Sequence, residues 1–229
     1  MTYQSNPFAE SLELTLQPNL YKDLPISSYK FLAEYKNEKG VWVYKRRQTS
    51  PEGYVQELME DHGYTVLADE GKLIKELFGL FYRVSAEEIS GSSFFTSPYD
   101  NETTEFFEKV TAEKTVTEFI WSLNSMSFDP LCPFYCLDEE SLCILTEILE
   151  STGLDLLCQL QRIVAKDQLK LSGWPDLTLV KDGQLTFVEV KTTDRLTRQQ
   201  KVWISRFVEP LNFNYIVIKI EPESGKAIS

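Results

Sequence analysis

The most informative part of the chain is Gly173-Trp174-Pro175-Asp176-Leu177-Thr178-Leu179-Val180-Lys181-Asp182-Gly183-Gln184-Leu185-Thr186-Phe187-Val188-Glu189-Val190-Lys191. It contains two runs of β-forming residues that are joined at Asp182-Gly183. Asp-Gly is a strong signal for a two-residue hairpin turn, because both central positions of that turn need a positive φ. The sequence therefore predicts a β-hairpin in which Lys181 pairs with Gln184.

This register determines which side chains meet at the open end of the hairpin. Counting outward from the turn places Asp176 directly opposite Glu189, and cross-strand partners lie about 5 Å apart at Cβ on the same face. Lys191 falls on that face too, because side chains alternate with a period of two along a strand. We therefore predict that two carboxylates and one lysine share a small polar site.

The residues around this trio indicate that the hairpin is buried. Pro175 marks where the first strand begins, because proline is confined to the starts and edges of strands. The runs of apolar residues on both strands are typical of a central strand pair, namely Leu177, Leu179, Val180, Phe187, Val188 and Val190. Acidic residues at the mouth of such a hairpin cost free energy unless a cation or a proton compensates their charge.

Two interpretations of the trio are open at this point. Opposed carboxylates can bind a hard divalent ion such as Mg²⁺, which polarises a phosphodiester and activates water while a lysine orients that water or neutralises developing charge. In the alternative, the hairpin lies on the surface and Lys191 simply neutralises Glu189 in a salt bridge. The only histidine is His62, so the sequence excludes a histidine-based triad and leaves the chemistry to carboxylates and lysine.

The hairpin and the segment after it resemble a VRR-NUC nuclease domain, a branch of the PD-(D/E)xK phosphodiesterases. The resemblance is carried by Gly173-Trp174-Pro175-Asp176-Leu177, Phe187-Val188-Glu189-Val190-Lys191, Asp194-Arg195-Leu196, Gln200 and Trp203. Two features depart from the family pattern. The Gly-Pro after the lysine is replaced by Thr192-Thr193 in a linker that is one residue shorter, and the basic residue before the glycine corresponds to Lys170, from which Leu171-Ser172 separate it.

The resemblance extends upstream to the Fanconi-associated nuclease group. It is carried there by residues 50–64, Asp69-Glu70-Gly71 and residues 77–81. In that group a helix-borne glutamate in a Glu-Gly step supplies another metal ligand, and it corresponds to Glu70. Glu70 also falls at helical spacing with an apolar stripe formed by Leu73, Ile74, Leu77 and Phe81. Alternatively, Glu70 is an acidic residue at the N-terminus of a helix, where the helix macrodipole favours a negative charge.

The resemblance implies a restriction-endonuclease-like α/β core, with a mixed β-sheet flanked by helices, that hydrolyses DNA with the help of Mg²⁺ or Mn²⁺. The metal ligands would be Glu70, Asp176, Glu189 and the carbonyl of Val190, and Lys191 would position or help deprotonate the attacking water. Similarity to the Fanconi-associated group implies branched or flapped DNA in repair. Short stand-alone members resemble junction resolvases that work as dimers. The resemblance therefore leaves two kinds of protein partner possible, a second copy of this chain (a homodimer) or a repair protein.

For several residues after the hairpin, the sequence allows two different roles. Gln200 belongs to the active-site motif of the family, but Thr197 to Gln200 is also a capping box, and we expect that one side chain cannot fully meet both roles. Arg195, Arg198 and Lys201 are candidate contacts to phosphates, together with Lys170; a solvated helix face is the alternative. For Trp203 we expect core packing rather than base stacking.

The distribution of charge along the chain bears on whether the protein can bind a nucleic acid. A net charge of −12 is unfavourable for a nucleic-acid-binding protein, but residues 160–206 carry nine basic and five acidic residues, which gives +4 and leaves −16 for the rest. Lys45-Arg46-Arg47 forms a second basic cluster. The acidic bulk predicts weak, salt-sensitive binding and recognition of nucleic-acid shape rather than sequence.

The organisation of the chain follows from composition and local patterns. With 229 residues, of which 42% are hydrophobic, the chain can bury one good core. We predict an N-terminal extension over residues 1–45 and a nuclease domain over 46–229. Helices are expected over 51–61, 71–83, 138–165 and 197–209, the last stopped by Pro210, with a strand over 214–220. This order independently fits an α/β core with a mixed sheet flanked by helices.

Other classes of function are less well supported. No apolar run is long enough to span a bilayer, and the first residues lack the pattern of a signal peptide, so the expected location is the cytoplasm, with the nucleoid in a bacterium or the nucleus in a eukaryote. The four cysteines lack zinc-module spacing. The alternatives to a structure-specific nuclease are a catalytically silent module that binds nucleic acid or protein, and a restriction-type endonuclease that reads a sequence.

Overall fold

The computed structural model of the chain describes residues 12, 14–17, 20–33, 35–36, 41–68, 70, 108–109, 112, 114–127, 139–167, 173–193 and 195–223. The chain divides into two compact units. One consists of Met1–Glu70, Gly173–Lys181 and Thr186–Ser229, and the other of Gly71–Ser172 and Asp182–Leu185.

The first unit is built on a six-stranded mixed sheet. Its strands are β1 (Thr15–Leu16), β2 (Ser27–Ala33), β6 (Thr65–Leu67), β7 (Leu177–Lys181), β8 (Gln184–Lys191) and β9 (Asn214–Pro222). Their order in the sheet is β1-β2-β9-β8-β7-β6. The neighbours β2, β9 and β8 run parallel, whereas β1 and β6 are antiparallel to β2 and β7. The predicted mixed sheet is confirmed.

Residues of the predicted N-terminal extension take part in this sheet. Both β1 and β2 fall within residues 1–45, and β2 is hydrogen-bonded along its whole length to β9 near the C-terminus. A second, three-stranded antiparallel sheet consists of β3 (Tyr35–Lys36), β4 (Val41–Tyr44) and β5 (Arg47–Thr49). The domain boundary between residues 45 and 46 stays a prediction.

Helix α1 (Pro51–Asp61) has the predicted bounds, and local sequence explains both its start and its buried face. The Ser50 side chain caps the helix by accepting a hydrogen bond of 3.0 Å from the backbone N–H of Gly53, and proline suits the first helical position. The buried side chains recur at helical spacing and are Tyr54, Val55, Leu58 and Met59. This face packs α1 against β4 and β6.

Within its described residues, the second unit contains α2 (Val116–Ser127), α3 (Glu139–Thr152) and α4 (Asp155–Asp167). The prediction of one helix over 138–165 is wrong, because Gly153 adopts a left-handed φ of 69° and ends α3. The helix predicted over 71–83 lies outside the described residues. Every helix in the described part of the chain is too short or too polar to span a lipid bilayer.

The segment after the hairpin forms a helix whose middle is wider than an α-helix. Helix α5 (Arg198–Trp203) continues as a π-helical turn (Ile204–Val208) and then as α6 (Glu209–Leu211). The prediction that Pro210 stops the helix is wrong, since the helix ends two residues later at Asn212 with a φ of 52°. The π turn displaces the carbonyls with which a proline ring would clash in a regular α-helix.

The two faces of the central sheet bury different side chains. Aliphatic residues of β7, β8 and β9 join α1 in one cluster. The opposite face carries aromatic side chains, because residues alternate along each strand. Phe187 of β8 and Tyr215 of β9 pack there against Trp203 of α5. The site lies on this second face.

Candidate active site

The hairpin is present, and its turn has the predicted geometry. Asp182 and Gly183 have φ values of 51° and 71°, as a type I′ turn requires. Strand β7 ends at Lys181 and β8 begins at Gln184. The predicted register is confirmed, and it places Asp176 opposite Glu189.

Asp176 directly precedes β7, and the hairpin itself holds its carboxylate. Its Oδ2 accepts a hydrogen bond of 2.7 Å from the backbone N–H of Val190. Burial raises the pKa of the Asp176 carboxyl above its ordinary value, although the hydrogen bond from Val190, a contact with the Glu189 carboxyl and the charge of Lys191 act in the opposite direction. The site therefore holds this carboxylate at a cost in free energy that a cation could offset.

Glu189 is the centre of the site and is fully buried, with 0% of its surface exposed. Its Oε1 accepts hydrogen bonds from Nζ of Lys191 and Nε2 of Gln200, and its Oε2 lies 3.4 Å from the hydroxyl of Tyr215. Burial raises the pKa of Glu189 to about 8; the charge of Asp176 adds to this rise and Lys191 opposes it. The salt bridge of the alternative interpretation is present between Lys191 and Glu189, but its surface position is wrong, because Glu189 is fully buried.

Gln200 makes the capping contact and a contact with Glu189 at the same time. Its amide oxygen accepts a hydrogen bond of 2.8 Å from the backbone N–H of Thr197, the N-cap of α5, while its amide nitrogen donates to Glu189. The expectation that one side chain could not do both is wrong. An amide has an acceptor and a donor on separate atoms, so the capping box orients the donor toward Glu189.

Gly173 allows the two halves of the site to approach each other. It has a φ of 80°, and a Cβ at this position would lie 2.5 Å from the carbonyl carbon of Gln199 and 2.9 Å from the nitrogen of Gln200. No other residue type fits such a contact without a backbone shift. The family glycine therefore brings the segment that carries Asp176 against the N-terminus of α5.

An aromatic cluster lies beneath the carboxylates and excludes water from Glu189. Trp203 is 1% exposed and contacts the rings of Trp174, Phe187 and Tyr215 at centroid distances of 5.2, 5.2 and 5.6 Å. The prediction that Trp203 packs in the core is confirmed. Apolar rings strengthen electrostatic interactions beside them by lowering the local dielectric.

Tyr215 also belongs to the site, although the sequence analysis does not predict it. It is 2% exposed, and its hydroxyl faces Oε2 of Glu189. Burial, followed by the charge of Glu189, raises the pKa of Tyr215, so the phenol stays protonated and can donate. Its position follows from the pairing of Glu189 with Val217, since Tyr215 lies two residues earlier on the same face. No local pattern reveals that pairing.

Glu70 is not brought together with the two carboxylates. It follows β6, whose last residue Leu67 pairs with Thr178, and it is exposed with a φ of 52°. The expected place on a buried helical stripe is wrong, because this left-handed conformation is not helical. Across the part of the chain that the structure describes, no three His, Cys, Asp or Glu side chains are grouped to hold a metal ion. Its role as a ligand stays a prediction.

The predicted nucleic-acid contacts are exposed or outside the described residues. Arg198 and Lys201 lie on the exposed face of α5, and Arg195 lies in the loop before it. Lys170 lies outside the described residues. Contact with phosphates and a solvated helix face both agree with this exposure, so these roles stay predictions.

The donor atoms of the site fit a hard divalent cation. Asp176 and Glu189 offer adjacent carboxylate oxygens, and the backbone of Val190 lies beside both. Carboxylates and carbonyls are the ligands that Mg²⁺ and Mn²⁺ prefer. Burial raises the pKa of both carboxyls, and the charge of Lys191 opposes this rise in each of them.

Fold and site together define a restriction-endonuclease-like α/β protein with a PD-(D/E)xK arrangement, in which Asp176, Glu189 and Lys191 hold the motif positions. The family model of the VRR-NUC domain matches residues 113–220. The match covers just under half of the chain, and Asp176, Glu189, Lys191 and Gln200 all lie within the matched residues. None of the curated proteins gives a significant match to the chain.

Solved structures agree on the fold. Significant matches include a crystal structure of paFAN1 bound to DNA with a 2-nt 5′ flap and a gap, with a TM-score of 0.64 and 20% identity over 88% of this chain and 38% of that one. A structure of paFAN1 bound to DNA with a 1-nt 5′ flap and a gap has a TM-score of 0.60 and 19% identity, and the match covers 88% of this chain and 39% of that chain. The chain thus spans about two fifths of the length of these proteins.

Proposed function

We propose that this protein is a divalent-metal-dependent nuclease that hydrolyses phosphodiester bonds in branched DNA, such as flaps, forks or junctions. The observation that carries the proposal is the fully buried Glu189, which contacts Asp176 and is ion-paired to Lys191. Its match to the VRR-NUC family model and its likeness to structures of paFAN1 bound to flap DNA support DNA as the substrate.

Asp176 and Glu189 would hold the cation, Mg²⁺ or Mn²⁺, with the carbonyl of Val190 and Glu70 as further ligands by family resemblance. Bound there, the ion would polarise the phosphodiester and lower the pKa of a coordinated water. The hydrogen bonds from Gln200 and Tyr215 would keep the Glu189 carboxylate in one orientation, as the outer partners of metal ligands generally do.

Lys191 would act directly on the reacting groups. Its ammonium group is held beside Glu189, and 15% of its side chain is exposed, so it can reach a phosphate at the mouth of the hairpin. In that position it stabilises the additional negative charge of the pentavalent phosphate and orients the attacking water. An ammonium group that is already in place pays little reorganisation energy in the reaction.

A cleavage assay tests the proposal. Flap, fork, four-way-junction, plain duplex and single-stranded DNA are incubated with the protein in Mg²⁺, Mn²⁺ or EDTA. We expect metal-dependent cleavage of at least one branched substrate, and a loss of about 100-fold or more in Asp176→Asn and Lys191→Ala, the scale of losing one electrostatic catalytic group. Lys109→Ala, which removes an exposed lysine of the second unit, should keep the rate.

Each other outcome has a defined meaning. If no substrate is cleaved even with Mn²⁺, the protein is the catalytically silent binding module. The observation that favours this alternative is that the described residues contain no group of three His, Cys, Asp or Glu side chains that could hold a metal ion. Discrete cuts in plain duplex identify an endonuclease that reads a sequence. Sedimentation of the protein with and without DNA tests the homodimer.

A further inference from the structure

We infer that three lysines in a row across the sheet, Lys191, Lys219 and Lys30, bind the phosphodiester backbone of the DNA strand next to the scissile phosphate. We call these residues the lysine row. The inference rests on the proposed function and extends it from the chemistry of cleavage to the path that the substrate takes over the protein.

Strand pairing places the three residues side by side. Lys191 of β8 is the Cα partner of Lys219 of β9, and Lys219 is the Cα partner of Lys30 of β2. Partners on parallel strands direct their side chains to the same face, which here is the face of Glu189. Because neighbouring strands lie about 4.8 Å apart, the row extends about 10 Å from the catalytic lysine toward the edge of the sheet.

The row becomes more accessible with distance from the site. The exposed fractions of the side chains are 15% for Lys191, 20% for Lys219 and 34% for Lys30. Lys191 is the last residue of β8 and Lys219 lies in the C-terminal half of β9. Ligands of open α/β sheets commonly bind outside the carboxyl ends of parallel strands. The row is thus a partly open continuation of the buried site.

The lysines of the row are ion-paired with carboxylates on the same or the neighbouring strand. Glu221 contacts both Lys30 and Lys219, the latter at 2.8 Å, and hydrogen bonds from Lys219 and Lys30 lower the pKa of Glu221. Glu221 thus lies between two lysines of the row, and Lys191 is paired with Glu189. Like charges on directly opposed residues destabilise a sheet, so three adjacent lysines indicate a site for further anions.

A nucleic-acid backbone has the charge and the spacing that suit this arrangement. Nucleotides of a duplex strand rise about 3.4 Å along the helix axis, and successive phosphates are roughly twice that distance apart, so a row of about 10 Å faces about two phosphates. Lysine is a flexible point charge that binds a phosphate without reading the base. The row would therefore guide the strand to Asp176 and Glu189 independently of its sequence, on a protein whose net charge is −12.

Equilibrium binding without cleavage tests the inference. Fluorescence anisotropy of labelled flap DNA in EDTA, over a range of NaCl concentrations, is measured for the wild type, Lys30→Ala/Lys219→Ala and Lys109→Ala. We expect the double variant to bind at least tenfold more weakly at low salt, and its salt slope to fall by roughly 1.4 to 1.8, since each lost phosphate contact lowers the slope by about 0.7 to 0.9. Lys109→Ala should resemble the wild type.

Two further variants separate a charge effect from a folding effect. Lys30→Arg/Lys219→Arg keeps both charges and should bind within about twofold of the wild type, whereas Glu221→Gln removes the competing carboxylate and should bind severalfold more tightly. Methylphosphonates within three nucleotides of the cut should weaken the wild type but not the double alanine variant. If the wild type binds no DNA, the proposed function fails. If it binds and cleaves DNA while the double alanine variant matches Lys109→Ala, the lysine row is refuted.

Discussion

The amide nitrogen of Gln200 donates a hydrogen bond to Oε1 of Glu189, while the amide oxygen of the same side chain caps α5. Glu189 lies in the centre of the sheet, and Gln200 lies in the first turn of the helix that packs over it. The helix start and the orientation of the central carboxylate are therefore one structural unit.

A substitution can separate these two functions. Gln200→Glu keeps a capping acceptor but replaces the donor with an anion beside a buried carboxylate. We expect cleavage to fall by more than tenfold, measured as kcat/KM on the preferred substrate. Thr197→Ala is the control, because it removes only the side-chain cap, costs about 1 kcal/mol of stability and should leave most of the activity. Equal losses in the two variants would contradict this division.

Tyr215 should tune the affinity for the cation rather than the fold. Tyr215→Phe removes the hydroxyl that faces Glu189 and keeps the ring in the aromatic cluster. We expect the Mn²⁺ concentration for half-maximal activity to rise by roughly tenfold, as for other lost partners of metal ligands, with thermal stability nearly unchanged. An unchanged Mn²⁺ dependence would show that the hydroxyl does not orient the carboxylate.

Gly173 offers a test of close packing with a matched control. In Gly173→Ala the new methyl group would overlap the backbone of Gln199, and the φ of 80° is unfavourable as well. We expect a loss of about 2 to 3 kcal/mol in the free energy of unfolding and a strong loss of cleavage, since Asp176 and Gln200 move apart. Urea denaturation measures the first effect.

Gly183→Ala is the control for this prediction. Gly183 has a φ of 71°, but a Cβ there would meet nothing within 4 Å. Only the left-handed strain remains, at about 1 to 2 kcal/mol, and the site is not displaced. If Gly173→Ala were no more harmful than Gly183→Ala, the contact with α5 would not be what requires glycine.

The stability of the metal-free protein should fall as the pH rises from about 5 to 8. Burial and the charge of Asp176 raise the pKa of Glu189 from 4.5 to about 8. Between these values the folded state holds a proton that the unfolded state has lost, so the free energy of unfolding decreases with pH. Urea denaturation in EDTA at several pH values should show this slope in the wild type and a weaker one in Glu189→Gln.

A divalent cation should counteract that decline. It binds the deprotonated carboxylate, so the increase in melting temperature on addition of Mn²⁺ should be larger at pH 8 than at pH 5. Glu189→Gln should show little increase at either pH. A shift of equal size in this variant would place the ion elsewhere on the protein.

Local signals determined the parts of the molecule in which the interacting residues are close in sequence. The Asp182-Gly183 turn sets the register from Asp176 to Glu189, because every pairing in a hairpin follows from its turn. The bounds of α1 follow in the same way from the cap at Ser50. One local prediction is wrong because of backbone geometry. Gly153 adopts a left-handed conformation, which divides the helix predicted over 138–165 into two.

The hairpin, its acidic pair with Lys191 and the family resemblance of these residues can all be predicted from the amino-acid sequence. The contact between Tyr215 and Glu189, and the alignment of Lys219 and Lys30 with Lys191, become visible in the folded sheet. The physical reason is that the order of strands in a sheet depends on long-range pairing between distant segments such as β2 and β9. That pairing is selected by the burial of whole faces, which no local turn or cap can specify.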